Sequence, residues 1–211
     1  MVALRTQELN ATRLAVIRRL GRAAEFRDNE TGNHIIRMSR TSALLAEGLG
    51  WGATEVELML NASPMHDVGK IGIPDAILLK PGKLEPQEFE IIKTHPTIGA
   101  ELLSGDDSPL FVLAREIALT HHEKWDGTGY PRGLAGEAIP QSGRICAVAD
   151  VFDALTSSRP YKKGWAVEDA LRFIRDGAGK HFDPAVVEVF ERRFEEVLAI
   201  RDAARDAESG G

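Results

Sequence analysis

The sequence predicts an all-α fold, and three observations carry that prediction. Apolar residues recur at steps of three and four along most of the 211 residues. Proline pairs that start helices, Ser108-Pro109 and Asp183-Pro184, stand directly before two of the periodic runs. No segment alternates apolar with polar residues long enough for a sheet, and no internal repeat is visible. At 43% apolar residues the chain fills one sizeable core, which argues against disorder of the whole chain.

The elements follow in order. Leu14, Ile17 and Gly21 share one face of a lead-in helix over 1–19 that is either ordinary packing or a dimerising, signal-receiving element. The domain itself is expected over 20–200. Ile35, Met38, Ser42, Leu45 and Leu49 form a stripe on a helix ending near Gly48-Leu49-Gly50. Thr54 with Glu57 reads as a capping box for a second, largely buried helix whose last turn delivers His66 and Asp67. Pro86 begins another helix, which Pro96 is expected to end by restricting His95. From Pro109 a helix runs through Val112, Leu113 and Ile117 into His121-His122. Five glycines and two prolines between Gly127 and Gly143 then require an irregular loop. Ile145, Val148, Phe152 and Leu155 resume helix as far as Ser157-Ser158-Arg159-Pro160. One more helix spans 167–176, and a last one opens at Asp183-Pro184 with Val187, Phe190, Phe194 and Val197 on one stripe. The tail, 201–211, is expected to fray.

Charge and composition exclude several functions. With 26 Lys+Arg against 32 Asp+Glu the net charge is −6, and the basic residues are scattered, so a nucleic-acid coat is disfavoured. The longest apolar runs, Leu110 to Ala114 and Ile145 to Ala149, fall far short of the ~20 residues that a membrane span needs. The N-terminus has no signal pattern, and a single cysteine, Cys146, fits a reducing compartment. A cytoplasmic protein is therefore expected.

The polar residues that interrupt this apolar pattern suggest chemistry. Glu30 and His34, four apart, can reach one cation from one helix face, although a solvated surface pair has the same spacing. Adjacent residues on a helix diverge by about 100°, so His66 and Asp67 both serve one site only if that site is large. A cluster of metal ions is such a site, with Asp67 bridging two cations; a hydrogen-bonded buried pair is the alternative. Lys70, between Gly69 and Gly72, suits a phosphate or leaving-group contact, with a surface lysine as its alternative. His121 and His122 stand where an apolar helix meets the glycine loop, as ligands at a cavity wall would, with a pair of satisfied core histidines as the alternative. Asp150 interrupts an apolar helix, where an ionised carboxylate is costly unless a metal or base neutralises it. Asp153, nearly one turn on, either supports a ligand or lies at the surface. With His95, these positions offer five imidazoles and three carboxylates and no thiolate. That set exceeds one metal's needs and favours two or three first-row ions such as iron or manganese over structural zinc. Closely spaced ions of this kind suit phosphate-ester hydrolysis.

The strings His66-Asp67-Val68-Gly69-Lys70, His95-Pro96, His121-His122-Glu123-Lys124-Trp125-Asp126-Gly127-Thr128-Gly129-Tyr130-Pro131 and Arg159-Pro160-Tyr161-Lys162 closely resemble HD-GYP domains, a subgroup of the HD phosphohydrolases. The resemblance runs from about Leu20 to Phe190. It implies a compact helical HD-domain bundle with a long Gly/Pro-rich loop, and hydrolysis of cyclic di-GMP to pGpG and in some members to GMP. It also implies metal ligands at Glu30, His34, His66, Asp67, His95, His121, His122 and Asp150, with Asp67 bridging. Glu30 favours three ions over two. Lys70 is implied at the scissile phosphate, Arg159 and Lys162 at phosphates, and Tyr130 facing substrate. The implied reaction is in-line attack on phosphorus by a metal-bridging hydroxide, with Lys70 and Arg159 absorbing charge. Two or three divalent ions against three carboxylates would give an acidic protein a locally cationic pocket. Domains of this kind usually follow a receiver or sensor domain, so a partner acting through the N-terminal helix, or a homodimer, is expected. Two rivals remain: a hydrolase of another cyclic dinucleotide such as mixed cyclic GMP-AMP, and a module whose metals sense redox state and whose output is protein contact.

Overall fold

The computed structural model describes residues 33–157 and 163–209, together with positions 15, 19 and 21. Ten α-helices connected by loops and three short 3-10 turns make up this part. Among the described residues there is no strand, only two isolated bridges, Asp126 with Ala135 and Ala178 with Phe182. The all-α expectation holds. No described helix is long and apolar enough to cross a membrane.

Two long helices form the centre. Helix α1 (Asn33–Gly48) buries Ile35, Met38, Ser42 and Leu45, the stripe expected from the sequence. Helix α7 (Gln141–Thr156) is buried over most of its circumference. The two pack along each other, with Ser42 Oγ 3.8 Å from Cys146 Sγ at their interface. Burial raises the Cys146 thiol pKa to about 12, so it behaves as a small apolar residue. Helix α2 (Ala53–Ala62) and α6 (Pro109–Thr120) cover this pair and contact each other. At the other end, α8 (Val167–Asp176) and α9 (Pro184–Arg192) close the core through Ile174, Val186 and Phe190.

Several element boundaries differ from the sequence expectation. Helix α2 starts one residue before Thr54, and its cap is Glu55 Oε2 accepting from the Gly52 N–H at 3.0 Å, not Thr54 with Glu57. Its first two turns are partly exposed, and only Met59, Asn61 and Ala62 are buried. Pro64 lacks the donor that would continue the α-helix, so the chain tightens into a 3-10 turn, Ser63–Met65. His66 and Asp67 therefore lie between that turn and a second one, Val68–Gly72, rather than in the last turn of α2. Two short surface helices follow, α3 (Asp75–Leu78) and α4 (Pro86–Ile92). Pro96 does not end α4. It occupies the first turn of α5 (His95–Leu102), where a missing N–H costs nothing, and His95 opens that helix. The irregular loop stops short of Gly143, which lies inside α7. The expected single C-terminal helix breaks at Arg193, whose guanidinium is drawn to Leu44 O, Glu47 and Glu196. The break yields α9 and α10 (Phe194–Ser209), with the Phe194 ring 5.8 Å from Phe152 and 5.5 Å from Phe190. Residues 201–209, in the tail expected to fray, are helical.

Of the lead-in helix 1–19, Leu14 and Ile17 lie outside the described residues, while Gly21 is buried against Pro64 and Ile35.

One close approach matters for everything that follows. Helix α5 rests directly on the Val68–Gly72 turn, and a Cβ on Gly69 would collide with His95 O and Gly99 N. Only glycine lets the turn carrying Asp67 meet the helix carrying His95. Gly69→Ala is expected to cost about 1–3 kcal/mol by overpacking, read as a lowered Tm together with weakened metal binding. An unchanged Tm with full metal affinity would contradict it.

Candidate metal centre

Seven of the eight expected ligands converge in one place. His34 comes from the first turn of α1, His95 from the first residue of α5, His121 and His122 from the end of α6, and Asp150 from α7. His66 and Asp67 reach in from between their two turns. Their donor atoms form two groups, Asp67 with His95, His121 and His122, and His34 with His66 and Asp150, each within 4.8 Å. The eighth, Glu30, lies outside the described residues, as do Arg159 and Lys162.

Asp67 links the two groups. Its Oδ1 lies 3.1 Å from His95 Nε2 and 3.4 Å from His121 Nε2. Its Oδ2 lies 3.3 Å from His66 Nε2 and 2.8 Å from the Lys70 ammonium. Asp150 Oδ1 faces His34 Nε2 at 3.4 Å and His66 Nε2 at 3.9 Å. His66 Nε2, Asp67 Oδ1, His95 Nε2 and His121 Nε2 are buried, and among the described residues none has a hydrogen-bond partner. Four orphaned polar atoms in one spot would each cost on the order of 1–3 kcal/mol, unless a cation fills the space they surround.

The opposite edges of the imidazoles explain why these nitrogens point inward. His66 Nδ1 donates to Ser63 O at 3.0 Å, His95 Nδ1 to Ile92 O at 2.7 Å, and His121 Nδ1 to Ile117 O and Ala118 O at 3.1 Å. His34 Nδ1 meets Asp153 Oδ2 at 2.7 Å. A proton held on Nδ1 leaves Nε2 with a lone pair, the form that binds a metal. Three of the four rings meet carbonyls about a turn back in the chain, so local helical geometry sets their tautomer. The fourth, His34, meets a carboxylate held in turn by Arg37, with Nε 2.6 Å from Asp153 Oδ1 and Nη2 2.9 Å from Oδ2. Arg37 Nη2 also donates to Ser157 Oγ at 2.8 Å. Asp153 is thus buried against the candidate ligand His34 and not a surface residue, the question that spacing alone left open. Nothing in the sequence pattern pointed to Arg37 or Ser157.

The electrostatics agree with a cation site. Burial opposes charge on Asp67, yet Lys70 and His66 hold its carboxyl well below the usual range. Burial likewise opposes charge on Asp150, and the contact with His34 and the nearby His66 outweigh it, so its pKa is also lowered. Both carboxylates are ionised at neutral pH. His122 is driven well below the ordinary imidazole value by burial and by neighbouring His121, and stays neutral. Nitrogen and oxygen donors without sulfur, two of them anionic, fit divalent metal ions.

The glycine loop forms one wall. Tyr130 stacks on His122 with ring centroids 4.7 Å apart and planes 26° apart, and its N–H donates to His122 O at 3.2 Å. Glu123, fully inside, fastens the loop by accepting from the N–H groups of Arg132 at 2.8 Å and Leu134 at 3.0 Å. Gly129 passes so close that a Cβ there would collide with the backbone of Glu123 and Lys124. Glu123 belongs to the string quoted above, but only the fold shows its part as a clamp. Asp153→Asn keeps an acceptor for His34 and removes the charge. Metal affinity in chelator competition is expected to fall about 10–100-fold, and an unchanged affinity would contradict the support role.

The sequence profile of the HD domain family matches residues 11–186. A Vibrio cholerae protein named cyclic di-GMP phosphodiesterase is 49% identical over 213 residues, covering 95% of this chain and 43% of that protein. The Xanthomonas campestris cyclic di-GMP phosphodiesterase response regulator RpfG is 51% identical over 174 residues, covering 82% of this chain and 46% of that protein. The chain thus spans less than half the length of these two relatives. A Vibrio cholerae crystal structure described as a cyclic GMP-AMP-specific phosphodiesterase, V-cGAP3, matches in fold with a TM-score of 0.69 at 21% identity, covering 92% of this chain and 52% of that one. With the helical bundle, the paired donor groups and the profile match in agreement, the chain belongs to the HD domain family.

Proposed function

We propose that the chain is a metal-dependent phosphodiesterase that hydrolyses cyclic di-GMP to pGpG. The observation that carries this reading is Asp67, whose two oxygens face two separate histidine groups while Lys70 stands beside one of them. The names of the two similar proteins support the substrate. Two divalent ions, or three if Glu30 adds its carboxylate, are proposed, with iron or manganese favoured by a donor set of nitrogen and oxygen. When bound, such ions supply Lewis acidity, charge neutralisation and an activated water for attack on phosphorus.

The chain's own groups then have separable tasks. His95, His121 and His122 would hold one ion, and His34, His66 and Asp150 the other, with Asp67 shared between them. Lys70, 2.8 Å from Asp67, is positioned to donate to a phosphate oxygen as charge develops there. Tyr130, fixed against His122 by the clamped loop, walls the pocket on the substrate side. Arg159 suits bidentate contact with a phosphate and Lys162 a point charge beside it. As to organisation, the domain is proposed over 20–200, with the N-terminal helix as the place where a sensor domain, a partner or a second copy acts.

Protein purified without oxygen and loaded with iron or manganese should convert cyclic di-GMP to pGpG, followed by chromatography. Asp67→Ala should lower turnover by more than about 100-fold and reduce bound metal. Full activity of a metal-replete Asp67→Ala variant would refute the assignment. Failure of the loaded wild type to cleave cyclic di-GMP, mixed cyclic GMP-AMP or any other cyclic dinucleotide would refute the function. Arg159→Ala should raise KM with metal content intact, and loss of metal in that variant would show a structural role instead.

A further inference from the structure

Beside the metal centre lies an aromatic surface that the proposed chemistry leaves unused. Helix α4 has no buried residue, yet it carries Phe89, 44% exposed, on the side facing the glycine loop. The Phe89 ring stands nearly perpendicular to Tyr130, with centroids 6.4 Å apart and planes at 79°. Tyr130 in turn stacks on His122 at 4.7 Å. Two ring-to-ring steps therefore lead from the donor groups to Phe89. Lys93 completes the corner, its Nζ 5.1 Å from the Phe89 centroid and 6.0 Å from that of Tyr130. Its ion pair with Glu90, 2.6 Å long and with Glu90 68% exposed, is the kind of surface contact that contributes little and is readily exchanged for a ligand.

Continuity with the site selects the occupant. An exposed ring edge-to-face with a second ring offers a flat apolar surface of the kind on which nucleobases stack, a contact that does not by itself discriminate among bases. Lys93 adds discrimination. An ammonium only donates, and guanine presents two acceptors, O6 and N7, on one edge, where adenine presents an acceptor next to an amino donor. On the basis of the cyclic dinucleotide reading above, we infer that Phe89 and Lys93 form a guanine subsite, Phe89 stacking against the base while Lys93 donates to its O6/N7 edge.

Steady-state kinetics on the metal-loaded enzyme test this. Phe89→Ala should raise KM for cyclic di-GMP by about tenfold, equivalent to ~1.4 kcal/mol, with kcat and metal content retained. Phe89→Leu keeps apolar bulk without a ring and should show the same rise, whereas Phe89→Trp should keep a wild-type KM. Lys93→Met should lower the preference for cyclic di-GMP over cyclic di-AMP, which has no guanine to place in the subsite. A wild-type KM in the Ala and Leu variants, or a fall in kcat with KM fixed, would overturn the stacking role, and an unchanged preference in Lys93→Met would overturn guanine selection. If the wild type cleaves cyclic di-GMP while these variants match it, the subsite alone fails. If the wild type cleaves no cyclic dinucleotide, the underlying reading fails and takes the subsite with it.

Discussion

The Asp67 carboxylate lies between two groups of imidazoles, and most of the local architecture is arranged to hold it there. One oxygen faces His95 and His121, the other His66 and Lys70. Reaching that point requires His66 and Asp67 to leave α2 before they arrive, which Pro64 enforces, and α5 to approach the following turn, which Gly69 allows. An ionised carboxylate among buried imidazoles is costly unless cations compensate it. Lys70 and His66 supply part of that compensation at Oδ2, while Asp67 Oδ1 and the Nε2 atoms around it have no hydrogen-bond partner among the described residues.

The ring orientation of the candidate ligands has an equally local origin. His66, His95 and His121 each return Nδ1 to a carbonyl three or four residues earlier, so their tautomers follow from helical geometry at the ends of their elements. His34, near the start of α1, instead meets Asp153 of α7, which Arg37 holds from the same helix as His34. The two central helices are thus joined by a polar contact at the metal side and by small residues, Ser42 and Cys146, further along. Ser157, bonded to Arg37, ends the described part of this network immediately before the stretch that carries Arg159 and Lys162.

Much of this was legible in the sequence, for identifiable reasons. The stripe on α1 was legible because its residues face the core along the whole helix, of which only Ile36, Arg40 and Glu47 are exposed, and the helix expected over 167–176 forms with those bounds. The candidate ligands stood out because a histidine or aspartate inside an apolar run needs a partner. What misled was proline and arginine. Pro96 was expected to stop a helix but serves as the start of the next, since the first turn needs no proline N–H. The break at Arg193 has no glycine or proline to signal it and depends on partners about 150 residues away in the chain, Leu44 and Glu47. Glu123 and Arg37 act through tertiary contacts, which no local pattern encodes, and the part proposed for Phe89 has the same origin.

An overall charge of −6 suggests a poor host for an anionic ligand, but the pocket carries its own balance. Asp67 and Asp150 are ionised and, against the cost of burial, draw His34 and His66 toward protonation, so on the proposed reading bound cations would replace those protons and, with Lys70, set the sign of the local potential. Anomalous X-ray scattering from manganese-loaded crystals tests that account most directly. It predicts one peak among Asp67, His95, His121 and His122 and a second among His34, His66 and Asp150, with the Asp67 carboxylate between them. A single peak, or peaks that leave Asp67 uncoordinated, would contradict it.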